Sequence, residues 1–91
     1  MFGLALVRMS GHSMSPLLPD GTFALFKKQR NFEAGDIVLA DHPVLGRIVK
    51  RVRALSNREV SLEGLSGQSI SSEKLGPLAH NRVIGTLIWS Y

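Results

Sequence analysis

Two residues of this 91-residue chain, Ser13 and Lys50, have side chains that could cooperate in a reaction. Ser13 lies within GHSMSPLLPDG (residues 11–21), after a glycine and before a proline-led turn. In such a turn the hydroxyl would be exposed, and backbone N–H groups could face a developing oxyanion. A serine hydroxyl attacks a carbonyl only when a base removes its proton. A lysine held in its neutral form could be that base.

The position of Lys50 within its segment makes it the candidate base. The segment 46–55 alternates as a strand would, and it places Lys50 on one face with Ile48, Val52 and Ala54. The other face carries a mixed set that can be solvated, Val49, Arg51, Arg53 and Leu55. A core-facing lysine can pack its stem near a sheet edge while its ammonium reaches water. It can also be desolvated, which lowers its pKa and suits a base near neutral pH. The alternation alone leaves both interpretations open.

Short segments rich in β-branched residues predict a mainly β protein. Six strands are expected, at residues 4–9, 22–26, 36–40, 46–55, 59–63 and 82–89. Turn-forming sequences such as PDG and AGD separate them. Only SPLL (15–18) could form a helical turn, with Ser15 as its cap and Pro16 at its first position. We therefore expect a single domain, residues 1–91, built as a small curled antiparallel sheet or open barrel.

Composition excludes several other kinds of site. The chain has no cysteine, so it has no disulfide, thiolate zinc site or cysteine nucleophile. Its three histidines lack metal-ligand spacing, and we expect no metal and no cofactor. A Ser/His/Asp triad is not favoured, because His12 is the sequence neighbour of Ser13 and because His42 and His80 lie in turn-like segments expected at the surface. With no signal peptide and no apolar run near the roughly 20 residues of a membrane span, we expect a cytoplasmic protein.

Four segments, in order along the chain, resemble the motifs of the signal peptidase I family. They are SMSP with the following LL (13–18), GDIVLA (35–40), VKRV (49–52) and LGPLAHNRVIGTLIW (75–89). By this resemblance Ser13 is the nucleophile and Lys50 the general base of a serine–lysine dyad on a β-rich catalytic core. Ser69 would orient the lysine. Met14 and apolar strand residues would line shallow substrate pockets.

The chain departs from that family at two places. Where some signal peptidases have a serine two residues before the nucleophile, this chain has Gly11. Its oxyanion hole would therefore rely on the Ser13 N–H and on Ser10 or a water. In the family's Ser-x-Asp-Ser-Arg motif, the aspartate and arginine positions are occupied here by Ser71 and Glu73.

Two branches of these peptidases are similar to the chain. The short separation of Ser13 and Lys50 resembles that of LexA-like self-cleaving repressors, but the only Ala-Gly pair, Ala34–Gly35, is predicted to form a turn. The likeness is closer to the small, anchor-free proteases that mature nickel-containing superoxide dismutase. The resemblance therefore predicts a serine endopeptidase that cleaves a protein precursor, with the N-terminal propeptide of that dismutase as the candidate substrate.

The net charge of +4 leaves a non-enzymatic alternative open. In that alternative the chain is a degenerate peptidase that binds nucleic acid or protein through a basic strip of Arg47, Lys50, Arg51, Arg53 and Arg58. These residues are not interleaved with aromatic residues, and no helix is available to enter a groove, so nucleic acid is not the expected partner. The enzymatic hypothesis expects a protein or peptide substrate bound as an extended strand at a sheet edge.

Overall fold

Seven antiparallel strands form one open sheet in the computed structural model, which describes residues 3–11, 13–29, 31–65 and 72–91. The strands are β1 (Leu4–Arg8), β2 (Phe23–Lys27), β3 (Ile37–His42), β4 (Gly46–Leu55), β5 (Glu59–Glu63), β6 (Leu78–Ala79) and β7 (Val83–Ser90). A short helix, α1 (Ser72–Leu75), and a 3₁₀ turn (His80–Arg82) lie between β5 and β7, and no helix of the described residues could cross a membrane. The strand order is β1-β2-β7-β3-β4-β5-β6. The predicted mainly β class is confirmed.

All six predicted strands are present, and β4 and β5 have the predicted bounds. The largest shift is in β3, which continues to His42 because its last two residues still pair with β4. The two-residue β6 and the helix α1 were not predicted, since elements this short leave no periodic pattern. The helical turn predicted for 15–18 starts one residue earlier. It is closed by the Leu18 N–H donating to the Met14 carbonyl (2.8 Å), so Ser15 lies inside the turn rather than capping it.

β3 is buried on both faces, which explains its continuous apolar run IVLA. On one side it packs against β2 and the loop that precedes β2, in a cluster of Met9, Met14, Leu18, Ala24, Phe26, Ile37, Leu39 and Val49. On the other side it packs against β5, α1 and β6, in a cluster of Phe32, Val38, Ala40, Val52, Val60, Leu62, Leu75, Leu78 and Val83. The strands β3 and β4 therefore lie between two apolar layers.

The turn before β3 holds β4 in place. Gly35 has φ +96°, a left-handed conformation that favours glycine. Its N–H donates to the Val52 carbonyl (2.8 Å), and the Val52 N–H donates to the Asp36 carbonyl (2.8 Å). The Asp36 carboxylate accepts the Glu33 N–H (2.8 Å) and closes the turn. Gly35 and Asp36 of the GDIVLA segment thus hydrogen-bond to β4 at Val52, which is two residues after Lys50, and hold the strand in place there.

His42 ends β3 and is buried, which corrects the expectation that it lies at the surface. Its Nε2 is 2.9 Å from the Leu75 carbonyl oxygen, which can only accept, so Nε2 carries the proton. Its Nδ1 accepts the N–H groups of Val44 and Leu45, each at 3.1 Å. One imidazole therefore joins the β3–β4 turn to α1. The segment DHPVLG reads as a turn whatever its histidine contacts, so the sequence pattern did not reveal this role.

Replacing His42 by phenylalanine is expected to lower the free energy of unfolding by about 2–3 kcal/mol. Phenylalanine keeps an aromatic ring, somewhat larger than the imidazole, but the Leu75 carbonyl and two backbone N–H groups lose their partner. His80→Phe is the matched control. Among the described residues the His80 Nε2 contacts one exposed carbonyl, that of Glu59 (3.2 Å), and a phenyl ring can keep the contact with the Phe32 ring, so the change should cost under about 1 kcal/mol. Urea unfolding measures both variants. Equal losses of unfolding free energy in the two variants would contradict the role of His42 in joining the β3–β4 turn to α1.

Candidate active site

β4 carries Lys50 into the interior of the protein. Lys50 is 6% exposed, and it pairs directly with the fully buried Val38 of β3. Its neighbours on the same face are Val52, which is buried, and Ile48, which is half-buried. The core-facing position predicted for Lys50 is confirmed. Ala54 was predicted on this face but is exposed, because the β4–β5 register shifts between Val52 and Ala54 and the strand leaves the core there.

Burial lowers the pKa of Lys50 from the ordinary value of 10.5, because desolvation penalises the charged ammonium. Among the described residues no carboxylate forms an ion pair with Lys50 that would offset this penalty. The neutral amine is therefore favoured more than on an exposed lysine. Of the two interpretations of this residue, its burial and its lowered pKa favour the desolvated lysine.

The loop between β1 and β2 is closed at its base by hydrogen bonds. The Met9 N–H donates to the Thr22 carbonyl (2.7 Å), and the Gly21 N–H donates to the Met9 carbonyl (2.8 Å). Higher in the loop, the Gly11 N–H donates to the Asp20 carboxylate (2.8 Å). These bonds fix the backbone on both sides of the SMSP segment.

Ser13 is half-buried within this loop and is held from two directions. Its carbonyl accepts the N–H of Leu65, in the segment that follows β5 (2.7 Å). The next residue, Met14, is fully buried in the core beside Leu18. Met14 was expected to line a substrate pocket, and that expectation is wrong. Its flexible thioether side chain fills the core beneath the loop and so anchors the backbone of Ser13.

Ser13 and Lys50 line the same cleft, which has a volume of about 220 Å³. The other lining residues come from the end of β1, the loop after it and the start of β4, and they are Val7, Arg8, Met9, Ser10, Arg47, Ile48 and Val49. A serine and a buried lysine thus line one small space. This arrangement is suited to nucleophilic attack assisted by a general base.

The cleft exists because the sheet curls. In the sheet, β1 and β4 are separated by β2, β7 and β3. Four strand spacings of about 4.8 Å would hold them roughly 19 Å apart in a flat sheet. Register shifts between Leu25 and Phe26 in β2, and between Leu39 and Ala40 in β3, interrupt the pairing of both strands with β7. Such irregularities bend and twist a sheet, which is how its two distant strands come to face one cleft.

The remaining predicted site residues have different outcomes. Ser69, predicted to orient the lysine, lies outside the described residues, as does His12. Ser10, suggested as a source of oxyanion stabilisation, lines the cleft. Gly11 has φ +90°, and no heavy atom lies within 4 Å of the place where a Cβ would stand. The loop is therefore open at the position where some signal peptidases, the family whose motifs the sequence resembles, have a serine.

Arg8 and Arg47 also line the cleft, a position that the sequence did not predict for either, since Arg47 was expected only in the basic strip. Arg8 ends β1 and Arg47 is the second residue of β4, and both are exposed. Neither has a local pattern that separates it from other surface arginines. Only the approach of β1 to β4 shows that they border the same space as Lys50.

The basic strip of the non-enzymatic alternative is not one surface. Lys50 is buried. The Nε and Nη2 atoms of Arg51 lie 2.9 and 2.7 Å from Oε2 of Glu63, which pairs its charge. Arg47 borders the cleft, whereas Arg58 lies in the turn between β4 and β5. This division of the charges does not favour a nucleic-acid-binding module.

A larger hollow of about 380 Å³ lies elsewhere and lacks comparable chemistry. Its lining consists of Asn31, Phe32, Glu33, Asp36 and His80. Among the described residues its lining has neither a hydroxyl nor a lysine, and the Asp36 carboxylate already accepts a backbone N–H of its own turn. Within residues 3–11, 13–29, 31–65 and 72–91, no three His, Asp or Glu side chains are grouped to hold a metal ion.

The fold and the cleft define a class of protein, the small antiparallel β domain in which a serine and a desolvated lysine share one cleft. Over residues 2–88 the chain matches the family described as Peptidase S24-like, and it belongs to that family. The match covers the LexA-like and signal-peptidase-like proteins that the sequence resembles, and it points to peptidase activity in general. No curated protein matches the chain.

Proposed function

We propose that this protein is a serine endopeptidase in which Ser13 is the nucleophile, Lys50 the general base and Ser69 the residue that orients the lysine. The observation that carries the proposal is the single cleft of about 220 Å³ that both Ser13 and Lys50 line. The lowered pKa of Lys50 and membership of the Peptidase S24-like family support it.

In the proposed reaction the neutral Nζ of Lys50 takes the proton from Oγ of Ser13 as that oxygen attacks the scissile carbonyl carbon. The C–N bond of the tetrahedral intermediate then breaks, and the ammonium returns the proton to the leaving amine. A water gives its proton to the same amine and attacks the acyl-enzyme ester, which releases the carboxyl product and restores the serine hydroxyl. The lysine gains and loses a proton in each half of the cycle, so a lowered pKa suits it.

The oxyanion of that intermediate needs donors from the β1–β2 loop. The Ser13 N–H is the first, and the Ser10 hydroxyl, which lies at the cleft, is the second. The Gly11 N–H is already engaged by the Asp20 carboxylate (2.8 Å). That bond shapes the loop rather than stabilising the oxyanion. In this proposal Ser10 replaces the serine that some signal peptidases carry at the position of Gly11.

A substrate can bind as an extended strand between two free strand edges. β1 is a terminal strand, so its outer edge is unpaired among the described residues. The pairing of β4 with β5 begins at Arg51, so residues 47–50 have no partner on that side within the described part of the chain. The cleft is lined by residues 7 and 8 of β1, by residues 9 and 10 of the loop that follows, and by residues 47–50 of β4. Extended peptides commonly add to such edges through main-chain hydrogen bonds.

The substrate we propose is a segment of another protein rather than of this chain. The Ala34–Gly35 bond lies in the turn that fixes β4, with the Gly35 N–H bonded to Val52. Cutting there would require that turn to open. The resemblance to small maturation proteases points instead to the N-terminal propeptide of nickel superoxide dismutase, so that precursor is the substrate to test.

The test is the processing of that precursor by the wild type and by Ser13→Ala. Wild type should release the propeptide, and Ser13→Ala should lose at least about a thousandfold of the rate, because no nucleophile remains. Ser15→Ala is the matched control, since Ser15 is another half-buried serine of the same loop, and it should stay active. Processing by Ser13→Ala at the wild-type rate would exclude Ser13 as the nucleophile.

The rate should depend on pH through Lys50. Because only the neutral amine can take the serine proton, kcat/KM should rise with pH and level off above the pKa of Lys50 in the free enzyme. Burial lowers that pKa, so the midpoint of the rise should fall below 10.5. A pH profile of propeptide release, corrected for the stability of the substrate, measures it. A midpoint at the ordinary lysine value would show that Lys50 is not the desolvated base.

A further inference from the structure

We propose that the cleft selects extended peptides with an acidic side chain near the bond presented to Ser13, and that Arg8 and Arg47 select them. Cleavage of such peptides rests on the proposed function, whereas their binding in the cleft does not. The first observation behind it is the charge of the lining. Arg8 and Arg47 line the cleft beside the neutral Lys50, and none of the described residues that line it is acidic.

The two arginines have no carboxylate partner among the described residues. Asp41 stands opposite Arg47 in the β3–β4 ladder, but its carboxylate lies 4.0 Å from Arg82 instead. The Asp20 carboxylate, in the loop that follows Arg8, accepts a backbone N–H of that loop (2.8 Å). Two exposed guanidinium groups therefore border the site with their charge uncompensated. A guanidinium binds a carboxylate in a bidentate, charge-assisted arrangement.

The positions of the arginines suit a bound strand. Arg8 belongs to the free edge of β1, and Arg47 belongs to the free edge of β4. A peptide that lies between these edges would pass one guanidinium on each side of its path. Acidic residues near the cut would gain an ion pair, whereas lysine or arginine at the same places would be repelled.

The size and lining of the cleft favour a peptide over a nucleic acid. Its volume of about 220 Å³ is below the roughly 300–1,000 Å³ of most small-molecule sites, so it has room for one or two side chains but not for a nucleotide. Its apolar lining, Val7, Met9, Ile48 and Val49, suits an aliphatic residue. No aromatic ring among the described lining residues offers a base a surface to stack on.

The experiment uses Ser13→Ala, which retains substrate without cutting it. A pool of decapeptides, randomised over alanine, valine, glutamine, glutamate and lysine, is passed over the immobilised variant, and the retained peptides are sequenced. We expect glutamate to be enriched about tenfold over glutamine. Arg8→Gln or Arg47→Gln, added to Ser13→Ala, should each reduce the enrichment about threefold. Arg58→Gln, which removes the same charge away from the cleft, should leave it unchanged.

Three outcomes would overturn the proposal. The first is equal retention of glutamate and glutamine peptides. The second is a loss of glutamate enrichment in Arg58→Gln as large as in Arg8→Gln or Arg47→Gln. The third is displacement of the peptides by a single-stranded decanucleotide at the same concentration. A parallel digestion of the pool by wild type separates the two hypotheses. Retention of acidic peptides without Ser13-dependent cuts refutes the peptidase and keeps this inference, whereas Ser13-dependent cuts without a preference for glutamate refute this inference alone.

Discussion

Lys50→Met is expected to abolish precursor processing and at the same time to make the protein more stable. The rate should fall at least about a thousandfold, because no base remains to take the proton of Ser13. The free energy of unfolding at pH 7 should rise by about 1–2 kcal/mol, because an apolar side chain of similar length replaces a desolvated amine at a position that is 6% exposed. A loss of activity that is accompanied by a gain in stability identifies a residue kept for function.

The gain in the free energy of unfolding should depend on pH, and the direction of that dependence follows from proton linkage. The pKa of Lys50 is lower in the folded protein than in the unfolded chain, where it is about 10.5. The unfolded state therefore binds more protons between these two values, and wild-type stability falls as the pH decreases through that window. Above about 10.5 both states are neutral and the penalty is absent. The free energy of unfolding of Lys50→Met should therefore exceed that of wild type most at neutral pH, and the two values should converge at alkaline pH.

Urea unfolding of wild type and Lys50→Met at several pH values measures this difference. Lys27→Met is the matched control, because Lys27 is exposed at the end of β2. It should change stability by less than about 0.5 kcal/mol and leave processing intact. A Lys50→Met variant that is less stable than wild type at pH 7 would mean that the lysine has a stabilising partner, and full activity would exclude it as the base.

Gly85→Ala is expected to produce the largest loss of stability of any single methyl group added to the sheet. Gly85 lies in β7, where a Cβ would stand 2.6 Å from the Lys27 carbonyl oxygen and 2.9 Å from the carbonyl carbon. These are backbone atoms at the end of β2 and cannot rotate away. We expect a loss of about 2–4 kcal/mol, which is a large fraction of the roughly 5–15 kcal/mol available to a small domain.

Gly85→Ala should also reduce the activity of the site. β7 joins the β1–β2 hairpin, which carries the Ser13 loop, to β3 and through it to β4 and Lys50. Separation of β2 from β7 would move the serine relative to the lysine. The Gly85→Ala protein that remains folded should therefore process the precursor at least about tenfold more slowly, since misplacement of about 1 Å can reduce a rate substantially.

Gly3→Ala is the control for this substitution. A Cβ at Gly3 would also meet a close neighbour, at 2.8 Å, but that atom is the Cδ of the exposed Lys28 side chain, which can rotate. Its cost should be below about 0.5 kcal/mol, whereas Gly85→Ala should lower the midpoint of thermal unfolding by about 10–20 °C. Similar midpoints for both variants would show that β2 can shift away from β7. The glycine of the segment VIGTLIW would then have no packing role.

Much of the secondary structure could be predicted from local pattern. β4 and β5 have the bounds expected from alternation and turn signals, and Lys50 has the buried position that its apolar neighbours indicated. The errors occur where contacts are distant in sequence. Met14 was expected at a pocket and instead fills the core, and His42 was expected at the surface and instead bonds to α1. Local propensity carries no information about such partners.

The amino-acid pattern alone predicts a mainly β protein with a serine in a turn and a lysine that faces the core. Those features depend on strand alternation and turn chemistry, which act over a few residues. That Ser13 and Lys50 line one cleft, and that Arg8 and Arg47 border it, follows from the tertiary fold and not from any local pattern. β1 and β4 are separated by three strands, and the irregular pairing around β7 bends the sheet until they share a cleft. Curvature of this kind is a property of the assembled sheet, so no segment of the chain encodes it alone.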